Sequence, residues 1–509
     1  MSLAEAMPRS PGSLGERNLS VPGVGRLPIV VFLYLATIAL PIGFNMGSLA
    51  MTGMRVVLLI TILPLFFGLM GGKYGRVLPV DILFVMHILW ATIAMAVNNP
   101  GMVVQNMGST SVEFLGGYLI GRAMIRTPAD FAALARALFF MVILSLPFVI
   151  AESQTGKPVI LGLINSISGL TTFFDVVADP RMGLERSQWV FAHPIHYGLF
   201  CSVAFSLCWV AFRGIFFDVN RWLFGTLIGT CTFLALSSGA LLALALQVGL
   251  IGWAWIFRNN QRRWWLLLGL FAVVYVVIDL LSTRTPIKVF MSYATFSAWN
   301  AYWRSIIFDW GMFNVWANPI FGLGLRNWIR PSYMASGSMD NFWLVMAVRY
   351  GIPGFVLIAL GYIDAIQRIM RRKFEGDATL TQFRLAWVFT FLGLSFTLCT
   401  VHIWTAIYSF VFMMLGAGMW MATWQPANAE TAAAAPTPEP RGSSRPVSRL
   451  RGKLIPEAAA ASADAALPVT GAAEADSGSA DPLRPQRGLT YTRFSDSIRR
   501  RQAGRNVRS

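Results

Sequence analysis

The chain alternates long apolar runs with short polar, charged connections. Apolar runs at about 27–44, 55–71, 79–97, 111–125 and 131–151 come first, and a sixth opens after His193–His196 and closes before Arg213. Others follow at about 222–236, 240–257, 264–282, 341–365, 386–403 and 406–424. Most approach the ~20 residues an α-helix needs to cross a bilayer. Twelve membrane-spanning helices are therefore predicted, an all-α polytopic architecture. Thr127-Pro128 has the form of a helix start, a capping hydroxyl with proline at the first helical position. Gly116-Gly117 lies in the short fourth run, where small residues permit close helix packing. Ser237-Ser238-Gly239 breaks the pattern between the seventh and eighth spans.

Two connections are long: 152–190 between the fifth and sixth spans, and 283–340 between the ninth and tenth. In the second, Phe296, Trp299, Trp303, Ile306/Ile307, Trp310 and Phe313 recur at three- and four-residue spacing, which predicts one apolar face of an amphipathic helix. Its tryptophans suit a headgroup interface.

Composition narrows the class. The chain is 55% hydrophobic with only 13% charged residues over 509 positions, which excludes an ordinary soluble domain. The net charge of +17 would fit nucleic acid by size alone. Most of the basic residues, however, fall either in the short loops that alternate between spans, as Lys73, Arg76, Arg122, Arg126, Arg136, Arg213, Arg221, Arg258, Arg262, Arg263 and Arg368–Lys373 do, or in the C-terminal tail. That is the positive-inside pattern, with both termini cytoplasmic, and it argues against a nucleic-acid partner.

Residues 1–26 read as a short disordered cytoplasmic tail with no apolar core of a signal peptide, so none is expected to be cleaved. Residues 425–509 are rich in Ala, Pro, Ser and Arg and read as a disordered basic tail. Such a tail either is simply solvated or meets anionic headgroups or a partner protein. Cys201, Cys208, Cys231 and Cys399 lie in predicted spans, without metal-ligand or disulfide spacing. His87 and His402 are lone histidines at span positions, read as satisfied core residues.

Candidate chemistry concentrates in the two long connections. The second carries Arg284, Lys288, Arg304, Arg326 and Arg330 against Asp309 and Asp340. Arg304, beside Trp303, would meet lipid phosphate and pair with it by bidentate hydrogen bonds. Asn318-Pro319 ends the amphipathic helix, and Gly322 and Gly324 make a tight turn whose amides could face an anion. Asp340 and Asn341 stand at the start of the tenth span, where Asp340 is either a helix cap or a functional carboxylate. The first connection supplies Arg181, Arg186, His193 and His196. Asp175, Asp179 and Glu185 are potential partners for its arginines. The two histidines, split by Pro194, suit hydrogen bonding to a polar substrate or orienting an arginine better than metal binding.

In this order the motifs resemble the O-antigen ligase and Wzy-type polysaccharide polymerase superfamily. GGYLIGRAMI at 116–125, RMGLERSQWVFAHPIHYG at 181–198 and ALSSGALLAL at 235–244 carry the resemblance, with Arg304, NPIFGLG at 318–324 and DNFWLVMAVRYGIPG at 340–354. Two positions depart. Asp340 stands where ligases commonly carry His, and the usual Ser-Arg-Gly of the break is Ser-Ser-Gly. An Asp at the first position is more at home among exopolysaccharide polymerases.

The resemblance implies a metal-independent glycosyltransferase without a cofactor, at the periplasmic face of the bacterial inner membrane. Its donor would be a glycan on undecaprenyl diphosphate. Arg304, Arg326 and Arg186, with Arg181 and Arg330, would hold the diphosphate. Asp340 would be the base, with His193 and His196 as rivals, and Asn341, Gly322 and Gly324 would orient substrate. The expected partners are the lipid-linked oligosaccharide, membrane lipids and, through the tail, other polysaccharide-assembly proteins. Polymerisation of repeat units is the expected activity. Ligation of finished glycan to an acceptor is the near alternative, and a transporter or flippase without chemistry the distant one.

Overall fold

The computed structural model describes residues 25–425, apart from 47–48, 177–178, 216, 284, 287–288, 290–297, 335 and 375. The two predicted tails, but for their innermost residues, and Arg284, Lys288 and Phe296 lie outside the described residues. The described chain is mostly helical, and each apolar run found in the sequence contains a helix. Seven helices are long and apolar enough to cross a membrane: Gly53–Met70, Pro79–Asn98, Pro128–Thr155, Ser238–Ile256, Arg263–Leu281, Phe342–Met370 and Thr405–Thr423. Ile29–Ala39 and Pro194–Trp209 are shorter apolar helices. The protein is thus a multi-pass helical membrane protein.

Its centre is the Thr405–Gly418 helix, almost wholly buried, and its periphery is Arg263–Leu281. Small residues set the central packing. A Cβ on Gly117 would stand 2.5 Å from the Ser409 carbonyl oxygen, and one on Gly121 would collide with that of Met413. Only glycine lets the Gly117–Met124 and Thr405–Gly418 backbones approach so closely. Thr127 forms the expected cap: its Oγ1 accepts from Asp130 N at 3.1 Å, and Asp130 returns a bond to Thr127 N at 3.0 Å.

Arg122–Asp81 and Arg55–Glu113 pair opposite charges inside the bundle. Arg122 and Asp81 meet at 3.3 Å, and Arg122 also donates to the carbonyls of Tyr74 and Arg76. Glu113 sits in a π-helical turn, Val112–Gly116, and pairs with Arg55 at 2.8 Å.

Three local expectations are corrected. The connection between the first two apolar runs is an antiparallel hairpin that takes up the end of the first run, β1 (Gly43–Met46) and β2 (Leu49–Thr52), bridged through Gly43 to Thr171 in the first long connection. The fifth span reaches Thr155, so Glu152 is a buried helix residue and not the first residue of a loop. In the amphipathic helix, Ala298–Ala317, Ile306 and Ile307 are buried as expected but Phe313 is exposed. Gly311, Asn314 and Val315 take its place, and Gly311 admits the Leu344 side chain.

The Phe342–Met370 helix is broken at Gly351, which has φ +74°. Pro353 has no N–H for the Arg349 carbonyl, and the kink also frees that of Val348. The 318–324 turn repairs both. Leu323 N donates to Val348 O at 2.7 Å and Gly324 N to Arg349 O at 3.0 Å, while Ile352 N reaches Pro319 O at 2.7 Å. Gly322 N bonds Asn318 O, so the turn's amides are spent inside the protein. The anion-cradle reading of Gly322 and Gly324 gives way to this splice, and their positive φ values of +62° and +60° explain the glycines.

Candidate active site

The two long connections meet at one end of the bundle. The first is held from beneath by Glu152. Its carboxylate accepts Gln188 N at 2.8 Å and Trp189 N at 3.0 Å, satisfying two buried amides. Glu185 N bonds Ser153 O, Ser187 N bonds Leu234 O, and Ser187 Oγ bonds Val149 O. Arg186 therefore hangs from a backbone fixed on both sides. Its Nε is buried without a hydrogen-bond partner. Burial, then the neighbouring Arg181 charge, lower the Arg186 guanidinium to about 10, and Asp179 opposes them.

Arg181 lies at a tight turn, Arg181–Leu184, and its Nη1 donates to the Leu236 carbonyl at 2.7 Å. The Ser237-Ser238-Gly239 break thus receives a guanidinium just before it. Burial lowers Arg181 as well, again against Asp179. Of the carboxylates expected to pair with these arginines, Asp179 faces both.

His193 caps the Pro194–Trp209 helix, its Nδ1 accepting Ile195 N at 3.1 Å. An Nδ1 that accepts leaves the ring proton on Nε2, an assignment made from the hydrogen bond. Burial first, then Arg186 and Arg181, hold this imidazole at about 3. It is a neutral donor. His196 is wholly buried with neither ring nitrogen hydrogen-bonded; the backbone of His402 faces it without making a sound bond.

From the second connection comes Arg304, half-buried, facing Asp340 as an opposite charge and Arg181 as a like one. Burial is the largest influence on its guanidinium and lowers it. Asp340 is exposed and accepts Ser338 Oγ at 2.9 Å. Asn341 is the cap of the Phe342–Met370 helix, its Oδ1 accepting Leu344 N at 3.0 Å. The cap reading of Asp340 is therefore replaced by Asn341, and Asp340 is left toward Arg304.

Arg181, Arg186, His193, His196, Arg304 and Asp340 thus form one group. Arg326 is anchored elsewhere, donating to Asn98 Oδ1 at 2.8 Å, and Arg330 donates to the Met334 carbonyl and lies beside Gly337. Among the described residues no cluster of three or more His, Cys, Asp or Glu has a metal-binding arrangement.

Two members escaped the sequence reading. His402 is not a solitary core histidine. It follows the Ala378–Leu398 helix, stacks near Trp404 with ring centres 5.8 Å apart, and faces Arg349. Trp404 in turn lies 4.0 Å from His196 and 5.9 Å from His193, centre to centre. Nothing local in the sequence links His402 to residues two hundred positions earlier. Arg349 did carry a signal, a cation inside an apolar helix, where ionisable groups mark function.

Backbone strain gathers here too. Trp189, Leu236 and Thr405 adopt positive φ of 52°, 45° and 52°. Each borders the group: Trp189 follows Arg186, Leu236 accepts Arg181, and Thr405 follows Trp404. A β-branched residue at positive φ is an outlier of the kind that functional sites hold in place.

Comparison with known proteins bears on this geometry. Against the curated proteins there is no match. Residues 223–359 match the model of the family described as O-antigen ligase, a stretch that includes Arg304, Asp340, Arg349 and the 318–324 turn. The motif resemblance is upheld there: the chain carries an O-antigen ligase family domain over residues 223–359.

Proposed function

We propose that the protein is a glycosyltransferase that polymerises glycan repeat units carried on undecaprenyl diphosphate, at the periplasmic face of the bacterial inner membrane. The observation that carries the reading is that Arg304 faces both Asp340 and Arg181. Cations from two segments far apart in the chain thereby come together, and one of them, Arg304, faces a carboxylate. Three guanidiniums, Arg181, Arg186 and Arg304, suit a diphosphate whose negative charge grows as it leaves.

In this reading an acceptor sugar hydroxyl attacks the anomeric carbon of the donor. The new bond forms between the acceptor oxygen and that carbon, and the bond from the anomeric carbon to the phosphate oxygen breaks. Its electron pair leaves with the diphosphate, beside the arginines. Asp340 takes the hydroxyl proton. His193 is a poorer base, because its proton already occupies Nε2 and Nδ1 is engaged. Its Nε2–H instead offers a hydrogen bond to a sugar or phosphate oxygen.

Twelve spans with both termini cytoplasmic put this end of the bundle outside, consistent with the basic short loops. Asp340, in the place where ligases commonly carry His, favours polymerase over ligase. Deleting the gene and analysing surface glycan tests the assignment. Loss of long chains with single repeat units retained is expected. Accumulation of full-length lipid-linked polymer would instead mean ligation, and unchanged glycan with lost solute uptake would mean transport.

A further inference from the structure

We infer that His193, His196, His402, Trp404 and Thr405 form a saccharide subsite, which holds a neutral sugar ring of the glycan beside the arginines. This rests on the diphosphate reading of the same crevice and names the residues that would recognise what the diphosphate carries.

The first observation is unspent hydrogen-bonding capacity. Both ring nitrogens of His196, Nδ1 of His402 and Oγ1 of Thr405 are buried without a hydrogen-bond partner. Each such atom is costly, and native structures hold few of them unless a ligand or water completes the set. Here they converge on one tryptophan. Trp404 is half-buried, with three imidazoles around it at 4.0, 5.8 and 5.9 Å between ring centres.

The chemistry of the set selects the ligand. A neutral imidazole offers one donor and one acceptor, and a hydroxyl likewise both donates and accepts. A sugar hydroxyl matches both, whereas a phosphate oxygen matches only donors. His193 is neutral, with its Nε2–H free of the cap it makes through Nδ1. An indole adds an apolar surface with a polar edge, suited to the C–H face of a pyranose. The subsite also adjoins the cations: Arg186 and Arg181 act on His193, and Arg349 on His402. A ring bonded directly to a diphosphate would reach from one set to the other. Thr405, at φ +52°, fixes the turn that carries Trp404.

The test uses the full chain in lipid nanodiscs with two probes, undecaprenyl diphosphate and undecaprenyl diphospho-glucose. The wild type is expected to bind the glucosyl lipid about tenfold tighter, the worth of one or two net hydrogen bonds. Trp404→Leu and His402→Gln should bring that ratio close to one while leaving the affinity for bare undecaprenyl diphosphate unchanged. Arg304→Ala should weaken both lipids together. Trp404→Phe, which keeps an aromatic face, should retain part of the preference and serves if Trp404→Leu does not fold. Variants that keep the wild-type ratio would overturn the inference, and so would folded variants that lose both lipids equally. A wild type that binds neither lipid would refute the diphosphate reading itself, and the subsite with it.

Discussion

The Glu152 carboxylate accepts the main-chain N–H of Trp189 at 3.0 Å through one oxygen, while its other oxygen takes Gln188 N at 2.8 Å. A buried acid at the end of one helix thus fixes the segment that presents Arg186. Removing it by Glu152→Ala strands two buried amides, at a cost of about 1–3 kcal/mol each. Glu152→Gln keeps one acceptor and should fall between. Thermal unfolding in detergent and glycan chain length should decline together in the order wild type, Gln, Ala; a fully active Ala variant would show that the segment holds itself.

Asp340 and Asn341 are neighbours with separable roles. Asn341→Ala removes a helix cap and should cost about 1 kcal/mol of stability with chain formation largely kept. Asp340→Asn leaves the cap intact and should abolish glycan transfer without lowering the unfolding temperature. Melting curves and glycan profiles of the two variants check this, and an active Asp340→Asn protein would remove Asp340 from the role of base.

His193 links stability to pH. Its folded-state value of about 3 lies below the ordinary 6.5, so the folded state binds fewer protons than the unfolded one. The contribution is fully present above pH 6.5 and is lost progressively as pH falls toward 3. The unfolding temperature should therefore drop between pH 7 and pH 5. His193→Asn retains a cap acceptor and should flatten part of that drop. An identical pH profile in the variant would mean that the ring titrates normally.

The splice at Gly351 predicts a strong positional effect. A Cβ there would run into the Ile320 carbonyl at a φ of +74°. Gly351→Ala should cost at least about 2 kcal/mol, since both strain and a displaced turn follow. Gly252, in contact with nothing on its Cβ side, should accept alanine with little change. Melting temperatures of the two variants make the comparison.

The helical membrane class was legible because apolar run length is a one-dimensional property. So was the Thr127 cap. What stayed hidden depends on contacts between distant segments. His402 looked like a core residue because its neighbour His196 comes from another helix. Asp340 and Asn341 compete for one cap position, and only φ/ψ and the Leu344 bond decide between them. Gly322 and Gly324 read as an anion turn because the carbonyls they satisfy are exposed by a kink at Gly351, which only the fold reveals. The apolar face of Ala298–Ala317 was turned slightly wrong at Phe313, since large aromatic residues also face outward from a membrane protein.

The central claim is that Arg304, which faces Asp340 and Arg181, serves the leaving diphosphate. The direct test is to restore a gene deletion with the Arg304→Ala protein and measure glycan chain length on the cell surface, with membrane levels of the protein measured alongside. The account predicts wild-type protein levels, single repeat units and no long chains. Long chains in wild-type amounts from the Arg304→Ala protein would contradict it.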